Sequence, residues 1–516
     1  MDNDRASWSG QLAFVLAAAA SAIGLGNLWR FPYLAAQYGG GTFIVIYLVL
    51  VVTLGFTIMT TEIAIGRRTR QSQLTAYSKL HSGWGFIGLL GTIVPLLIVP
   101  YYCVIGGWVL KYLVAYARMA FTGVNPMGEG AAMSGEFFSS FIAAPFAPFG
   151  YGVLFILACT FVIVLGVKNG IEKSNLVMMP ILLLMAVAIS VYVVCLPGSR
   201  EGLAYYLVPN TDCLSKFVPV LDAENMPVLD EAGKAVMVKK FSVALLGKTI
   251  LGAMGQMFYS LSLAMGIMIT YGSYMRREDS IEKSVRRIEL FDTLIAVIAG
   301  LMIIPVVYMF AIKTGTPVKE AMNAGPGLMF ITLPKVFAML GVAGAWLGLA
   351  FFVLVTFAAA TSAISLYEAC VASVCDLLGM KRRNATFFMF FVIAFLASFS
   401  ALGYGPWKDV TLSTLLHKLG FTGEWTGGAF LAMQGLDFFD FITNSVLMPI
   451  VALATCVFVG WVLKPAAIED ELSSSGHVFR AAGVYGLMVK WVAPLLIAAI
   501  LVSEICRNLG IGGWKI

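Results

Sequence analysis

The 516-residue chain is 59% hydrophobic and 12% charged, with a mean hydropathy of +0.88 and a formal net charge of +6. This balance excludes a soluble globular protein and indicates an all-α polytopic membrane protein whose surroundings are the lipid bilayer. The positive charge implies no nucleic-acid partner, because the basic residues lie in short segments between apolar stretches. No signal peptide is expected, since the first stretch lacks a small-residue cleavage site before its glycines.

Apolar stretches long enough to cross a bilayer recur along the whole chain. Eleven are predicted, at about 11–36, 42–66, 86–118, 150–167, 174–196, 241–275, 287–312, 341–375, 385–403, 436–463 and 482–507. The basic clusters at 67–70, 168–173, 276–287 and 381–383 fall on one side when the spans alternate. Short basic loops stay in the cytoplasm, so we expect a multi-pass protein of the cell inner (plasma) membrane with a cytoplasmic N-terminus and an extracytoplasmic C-terminus.

The first span is interrupted before it can reach the far side. Gly24 and Gly26 weaken the helix there, and Pro32 removes a backbone donor soon afterwards. Inside a membrane a broken helix survives only where it is packed in protein or lines a polar cavity. Carbonyls freed beside Asn27 suit a small cation, while the new helix N-terminus favours an anion. The alternative is a glycine kink that only lets helices pack closely.

A second interruption lies in the sixth span, where serines alternate with apolar residues over 256–266. Because the two breaks lie five spans apart, we predict two five-helix halves of inverted topology. The first half would occupy 1–200 and the second 241–463, separated by an extracellular loop at 201–240. An appended eleventh helix and an external C-terminus would fill 464–516.

The eighth span offers oxygen ligands on one helical face. Ala358, Thr361 and Ser362 stand at i, i+3 and i+4, so one carbonyl and two hydroxyls converge. They are suited to complete a cation cage with the carbonyls of the first span. The alternative is that the hydroxyls bond back to the preceding turn of their own helix.

Ionisable residues within spans indicate function by default. Arg30 and Asp440 lie on the outer side of their spans, and Arg5 and Asp376 on the inner side. Two such ion pairs are what a carrier with alternating gates requires. Snorkelling of Arg5 and Asp376 toward the interface is the alternative.

Several of these segments resemble the neurotransmitter:sodium symporters. They are SAIGLGNLWRFPYLAAQYGGGTF (21–43), the pair Tyr101-Tyr102, QMFYSLSLAMG (256–266), GPGLMFITLP (325–334) and AAATSAISLYE (358–368). The resemblance runs from Arg5 to about residue 507. It implies a leucine-transporter-like fold, a 5+5 inverted repeat with broken first and sixth helices, and the bacterial branch with 11 transmembrane helices.

The resemblance implies two sodium ions bound by oxygen atoms. The first would be held by the Ala22 carbonyl, the Asn27 amide, Ser260 and the substrate carboxylate. The second would be held by the carbonyls of Ala20, Ile23 and Ala358 and the hydroxyls of Thr361 and Ser362.

The resemblance also implies a substrate pocket and two gates. The pocket would be bounded by Ser21, Ala22, Ile98, Tyr102, Tyr259, Ser260, Ser262, Met265, Ser362 and Leu366. Arg30 with Asp440 would close it toward the outside. Arg5 with Asp376, near Trp8 and Tyr274, would close it toward the inside.

At three positions the chain departs from the family pattern, and these departures restrict the expected substrate and ion requirements. Gly24 stands where monoamine carriers have an aspartate, so the substrate should bring its own carboxylate, as an amino acid does. Asp292 stands where relatives have an asparagine that ligates the first sodium, and a fixed carboxylate there can replace chloride. Met265 replaces a frequent aromatic residue and accommodates larger, more varied side chains.

The sequence thus predicts a sodium-coupled symporter of a neutral L-amino acid, hydrophobic or aromatic, that does not require chloride. A proton-coupled carrier using Asp292 or Glu368 as relay is the alternative within transport. A channel or sensor using the same cavity is the alternative from another class. An enzyme is not expected, since no catalytic constellation faces a common cavity in this topology.

Overall fold

The computed structural model describes residues 6–127, 133–220, 228, 235–322, 325–418, 433–474, 476 and 478–509. Arg5, one of the predicted inner-gate residues, lies outside the described residues. Nine of the described helices are long and apolar enough to cross a membrane, and the two halves of the first span make a tenth.

The first part of the chain is helical from Gln11 onward. Its helices are α1 (Gln11–Ala22), α2 (Gly26–Gln37), α3 (Gly41–Thr69), α4 (Gln73–Leu80), α5 (Ser82–Thr122), α6 (Met133–Ala143), α7 (Ala147–Val164), α8 (Val167–Val194) and α9 (Ser199–Leu207). An antiparallel hairpin follows, with β1 (Ser215–Pro219) paired to β2 (Met237–Phe241) in the register Ser215↔Phe241.

The second part is again helical. Its helices are α10 (Val243–Ser260), α11 (Ile267–Ser273), α12 (Ile281–Thr314), α13 (Val318–Ala321), α14 (Leu328–Met339), α15 (Gly341–Leu378), α16 (Arg382–Leu402), α17 (Leu412–Lys418), α18 (Gly435–Leu463), α19 (Pro465–Ser473) and α20 (Ala482–Cys506). The sixth predicted span is the one divided between α10 and α11, and it is not among the nine long helices.

The apolar stretches predicted the long helices to within a few residues, but two connections differ from expectation. The basic segment 168–173 is wound into the start of α8 instead of forming a loop. The segment 201–240, expected to be a long loop, contains most of α9 and the two-stranded hairpin.

The first span bends by 54° between α1 and α2. The helix α1 ends at Ala22. The chain becomes helical again at Gly26–Arg30, where it forms a wider, π-helical turn. Phe31 and Pro32 then open the regular helix, where the missing proline N–H removes nothing that an initial turn needs. The break therefore lies at the glycines, as the sequence indicates, and Pro32 is accommodated at the start of the regular helix that follows.

The sixth span unwinds completely over residues 261–266. Ser262, Ala264 and Gly266 there have φ values of 54°, 58° and 74°. Two of these are not glycines, so the left-handed conformation is costly and must be held by its surroundings. Part of that support is the Glu62 carboxylate of α3, which accepts the Ala264 N–H at 2.8 Å.

Candidate functional site

A small cavity of about 20 Å³ lies where the two broken spans meet. Its wall consists of Ser21, Ala22, Gly24, Gly26, Asn27, Ile98, Tyr102, Tyr259, Ser262, Met265, Ile267, Ser362 and Leu366. Nine of the ten predicted pocket residues are in this wall. Ser260 is not, because its hydroxyl is directed to Asp292 instead. Within the part of the chain that the structure describes, no charged side chain lines the pocket.

The break in the first span brings backbone amides to the pocket. The Leu25 N–H donates to the Tyr102 phenol oxygen at 3.2 Å. A Cβ added at Gly24 would stand 2.7 Å from the Ser362 hydroxyl and 3.0 Å from that phenol oxygen. A Cβ at Gly26 would overlap the Tyr259 ring. Both glycines are therefore required for close packing, besides weakening the helix.

Asp292 of α12 lies at the centre of a buried polar cluster. Its carboxylate accepts hydrogen bonds from Asn27 Nδ2 at 2.8 Å, Ser260 Oγ at 2.8 Å and Tyr47 OH at 3.0 Å. All four residues are at most 1% exposed. Gln256 lies beside the cluster and donates to the Gly26 carbonyl at 3.3 Å. The structure thus joins Asp292 to both broken spans.

The hydroxyls of α15 have two different partners. Thr361 Oγ1 donates to the Phe357 and Ala358 carbonyls of its own helix, at 3.0 and 3.1 Å. Ser362 Oγ instead reaches the first span and donates to the Ser21 carbonyl at 2.9 Å. Back-bonding therefore holds for Thr361 only. In both cases the proton is used in a hydrogen bond, and the oxygen keeps lone pairs that can bind a cation.

A larger cavity of about 480 Å³ lies outside the pocket, on the α18 side of the broken spans. Arg30 and Asp440 both line it, but no direct ion pair joins these two described residues. The Arg30 guanidinium lies 5.6 Å from the Tyr259 ring centroid. Asp440 accepts hydrogen bonds from Tyr101 OH at 3.0 Å and from Asn444 Nδ2 at 2.6 Å. The cavity therefore separates the two predicted gate residues.

The chain before α1 packs against the end of α11. Trp8 is fully buried, and its ring lies 6.1 Å from that of Tyr274. The Trp8 backbone N–H donates to the Tyr274 carbonyl at 3.1 Å, and its indole N–H donates to the Tyr271 carbonyl at 3.0 Å. Asp376 accepts the Ser72 N–H at 2.6 Å. Trp8 is thus packed against Tyr271 and Tyr274, and closure of the pocket toward the inside by these residues stays a prediction.

Two buried acidic residues have partners that the sequence does not indicate. Glu368, weighed as a proton relay, is fully buried and paired with Arg382, with an Nη1–Oε1 distance of 2.7 Å. Tyr274 OH donates to the same carboxylate at 2.7 Å. Glu62 supports the unwound sixth span by accepting the Ala264 N–H. Their partners come from distant parts of the chain, so no local pattern could identify them.

Comparison with known proteins agrees with this geometry. The model of the sodium:neurotransmitter symporter family matches residues 5–125 and 231–512. The chain belongs to this family. An uncharacterized sodium-dependent transporter of Haemophilus influenzae is 29% identical over 98% of this chain and 99% of its own length. A second, from Bacillus subtilis, is 30% identical over 96% of this chain and 97% of its own length.

Among solved structures, MhsT in complex with L-phenylalanine has a TM-score of 0.76 and 31% sequence identity. The alignment covers 97% of this chain and 100% of MhsT. This symporter-family chain therefore has the leucine-transporter-like fold, with broken first and sixth helices, predicted from its sequence. It is a sodium-dependent membrane transporter of a small molecule and not an enzyme.

Proposed function

We propose that the protein couples the inward movement of sodium to the symport of a neutral, hydrophobic or aromatic L-amino acid by alternating access. The observation that carries this proposal is the pocket between the two helix breaks. Its wall combines backbone groups freed by the helix breaks with apolar side chains, and its described residues include no charged side chain. A zwitterion with an apolar side chain matches such a wall, whereas a cationic or anionic side chain would be left unpaired.

The two ends of the broken first span suit the two charges of an amino acid. The start of α2 presents N–H groups and the positive end of a helix dipole, which favour the substrate carboxylate. Tyr102 OH lies beside the Leu25 N–H and can donate to the same carboxylate. The carbonyl end of α1 carries the opposite partial charge and favours the ammonium group.

The first sodium would bind where the Ala22 carbonyl, the Asn27 amide, Ser260 and Asp292 approach the substrate carboxylate. The hydrogen bonds of Asn27 and Ser260 to Asp292 support this assignment, because they bring three oxygen-bearing side chains together. Oxygen is the ligand that hard cations such as sodium prefer.

The second sodium would bind between α1 and α15, at the carbonyls of Ala20, Ile23 and Ala358 and the hydroxyls of Thr361 and Ser362. The Ser362 bond to the Ser21 carbonyl supports this assignment, because it places the two helices in contact at this level. A cation ligated from both helices would hold the first span against the eighth, and its release would let them separate.

Asp292 would make chloride unnecessary. Two sodium ions and a zwitterion carry net positive charge into a site of low dielectric constant, where unbalanced charge is costly. A carboxylate already held by Asn27, Ser260 and Tyr47 supplies the balancing negative charge. Chloride would otherwise have to bind in every cycle.

Closure toward the outside would bring Arg30 and Asp440 together across the cavity that now separates them. Opening toward the inside would withdraw Trp8 from Tyr274 and break the proposed ion pair of Arg5 with Asp376. In this scheme the segments 1–200 and 241–463 are the two inverted halves, the N-terminus is cytoplasmic and the C-terminus is extracytoplasmic.

Equilibrium binding of radiolabelled L-phenylalanine and L-leucine to the purified protein tests this proposal. We expect saturable binding in sodium chloride and in sodium gluconate, and its loss in potassium chloride. Binding that is equal in potassium and in sodium would contradict sodium coupling and favour the proton-coupled alternative.

A further inference from the structure

Three serines belong to the pocket wall, and the hydroxyl of one of them forms no hydrogen bond with the described residues. Ser262 Oγ and Ser362 Oγ both donate to the Ser21 carbonyl, at 3.2 and 2.9 Å. Tyr102 OH accepts the Leu25 N–H, and Tyr259 also faces the outer cavity. The Ser21 hydroxyl, in contrast, has no hydrogen-bond partner among the described residues although Ser21 is only 2% exposed.

The depth of Ser21 in the pocket follows from its position on its helix relative to the other wall residues. Ser21 is one turn before Gly24, and Ile98 is one turn before Tyr102; Leu366 is one turn after Ser362. The first and third spans run in one direction and the eighth runs in the other. All three residues therefore lie one turn below the level of Gly24. Side chains lean toward the N-terminus of their helix, so Ser21 leans further from the break.

The two levels suit different parts of an amino acid. The upper level holds the amide groups at the start of α2 and the Tyr102 phenol, which are suited to the carboxylate. The side chain of the substrate would then extend into the lower level, between Ile98 and Leu366. Among the described residues of the wall, Ser21 brings to this level a hydroxyl that no hydrogen bond occupies. An unpaired buried hydroxyl is unfavourable, and a partner on the ligand would remove that cost.

We propose that the Ser21 hydroxyl contributes to substrate specificity by binding the substrate side chain. It forms a hydrogen bond with a polar atom on an otherwise apolar or aromatic side chain, such as an indole N–H or a phenol O–H. This inference rests on the proposed function and refines it. A site built to pair such an atom discriminates against an isostere that lacks it, because the hydroxyl is then left buried without a partner. The preferred substrates are therefore amino acids of the tryptophan and tyrosine type.

A thermodynamic cycle between substrate and protein tests this inference. Dissociation constants are measured in sodium for two pairs: L-tryptophan with L-3-benzothienylalanine, in which sulfur replaces the N–H group, and L-tyrosine with L-phenylalanine. Each pair is measured on the parent protein and on Ser21→Ala. We expect the parent to bind the polar member about 5- to 30-fold more tightly in at least one pair, and Ser21→Ala to abolish that preference.

Ser365→Ala is the matched control, because the buried Ser365 hydroxyl of α15 lies next to Leu366 in the chain but donates to the Thr361 carbonyl and is not part of the pocket wall. It should preserve the preference of the parent within about 2-fold. Equal losses for both members of a pair in Ser21→Ala would overturn the inference, since they would assign the hydroxyl to the ammonium or carboxylate group. No preference in the parent would overturn it too. Absence of sodium-dependent binding of every amino acid would instead overturn the proposed function itself.

Discussion

Asn27 Nδ2 lies 2.8 Å from Asp292 Oδ1, which joins the break in the first span directly to the carboxylate of α12. The Asn27 side-chain oxygen also accepts the Gly24 N–H at 3.2 Å. The same amide thus braces the broken backbone with its oxygen and engages the buried acid with its nitrogen. Only the Asn27 side chain stands between Asp292 and the pocket wall at Gly24, so a change in the charge of Asp292 alters the hydrogen bonding of that wall.

Replacement of Asp292 by asparagine should impose a chloride requirement on transport. The negative charge is lost while the shape is kept, so the charge of two sodium ions must be balanced by an external anion. We expect uptake by the parent to be unchanged when gluconate replaces chloride. Uptake by Asp292→Asn should fall on the order of tenfold in gluconate and recover at least partly in chloride.

Asp292→Glu is the control for this variant, because it keeps the charge. Strict chloride dependence of the parent would contradict the account and return charge balance to a bound anion near Tyr47, Gln256 and Ser260.

Removal of both α15 hydroxyls should weaken sodium binding. Thr361→Ala combined with Ser362→Ala deletes two of the five proposed oxygen ligands, and water cannot replace them in a closed site. We expect the sodium concentration for half-maximal uptake to rise about tenfold or more. The control is Ser365→Ala on the same helix, whose hydroxyl bonds to the Thr361 carbonyl and to Tyr271. An unchanged sodium dependence in the double variant would remove these residues from the ion site.

Truncation of Arg30 should slow transport more than it weakens substrate binding. Arg30 and Asp440 line the outer cavity without a direct ion pair, and we expect them to meet only on outward closure. Without Arg30, closure would bury Asp440 unpaired, at a cost of about 3 kcal/mol. Arg30→Ala should therefore bind substrate within about threefold of the parent yet turn over at least tenfold more slowly.

Asp437→Asn is the control for the outer gate. Asp437 lines the same cavity, but its carboxylate accepts a hydrogen bond from Tyr404, so this variant should transport at nearly the parent rate. A normal turnover rate in Arg30→Ala would show that the gate is assigned wrongly.

Loss of the Glu62 carboxylate should destabilise the protein through the unwound part of the sixth span. Glu62→Ala leaves the Ala264 N–H buried without its acceptor, at a cost of about 1–3 kcal/mol. Glu62→Gln keeps an acceptor oxygen and should retain most of the stability. Thermal unfolding in detergent, followed by tryptophan fluorescence, measures both variants. Equal melting temperatures for the parent and Glu62→Ala would show that the break is held by other contacts.

The sequence predicted the elements of the fold because their signals are local. Runs of apolar residues mark the long helices, and the glycines and proline near Asn27 mark the first break. Nine of the thirteen residues in the pocket wall could be named from the sequence, since Tyr102, Ser262 and Ser362 stand in segments with a family resemblance. Ser260 lies outside the wall because its hydroxyl donates to Asp292. The roles of the wall residues in substrate binding stay a prediction.

Contacts between residues far apart in the sequence could not be predicted from local sequence patterns. Nothing near Glu62 in the chain indicates that its partner is the Ala264 N–H, 202 positions later. The pairing of Glu368 with Arg382 also depends on how α15 and α16 are placed, so Glu368 was weighed as a free relay. The described ion pairs do not include Arg30 with Asp440 although both line one cavity, and composition does not encode that distance.

Gradient-driven uptake into proteoliposomes tests the central claim of sodium-coupled amino-acid symport most directly. Radiolabelled L-phenylalanine, L-tryptophan and L-leucine are supplied outside, with sodium outside and potassium inside. We predict accumulation above the external concentration, abolished when the sodium gradient is collapsed and unaffected when a proton gradient is collapsed at constant sodium. Accumulation that persists without sodium and follows the proton gradient would contradict the account.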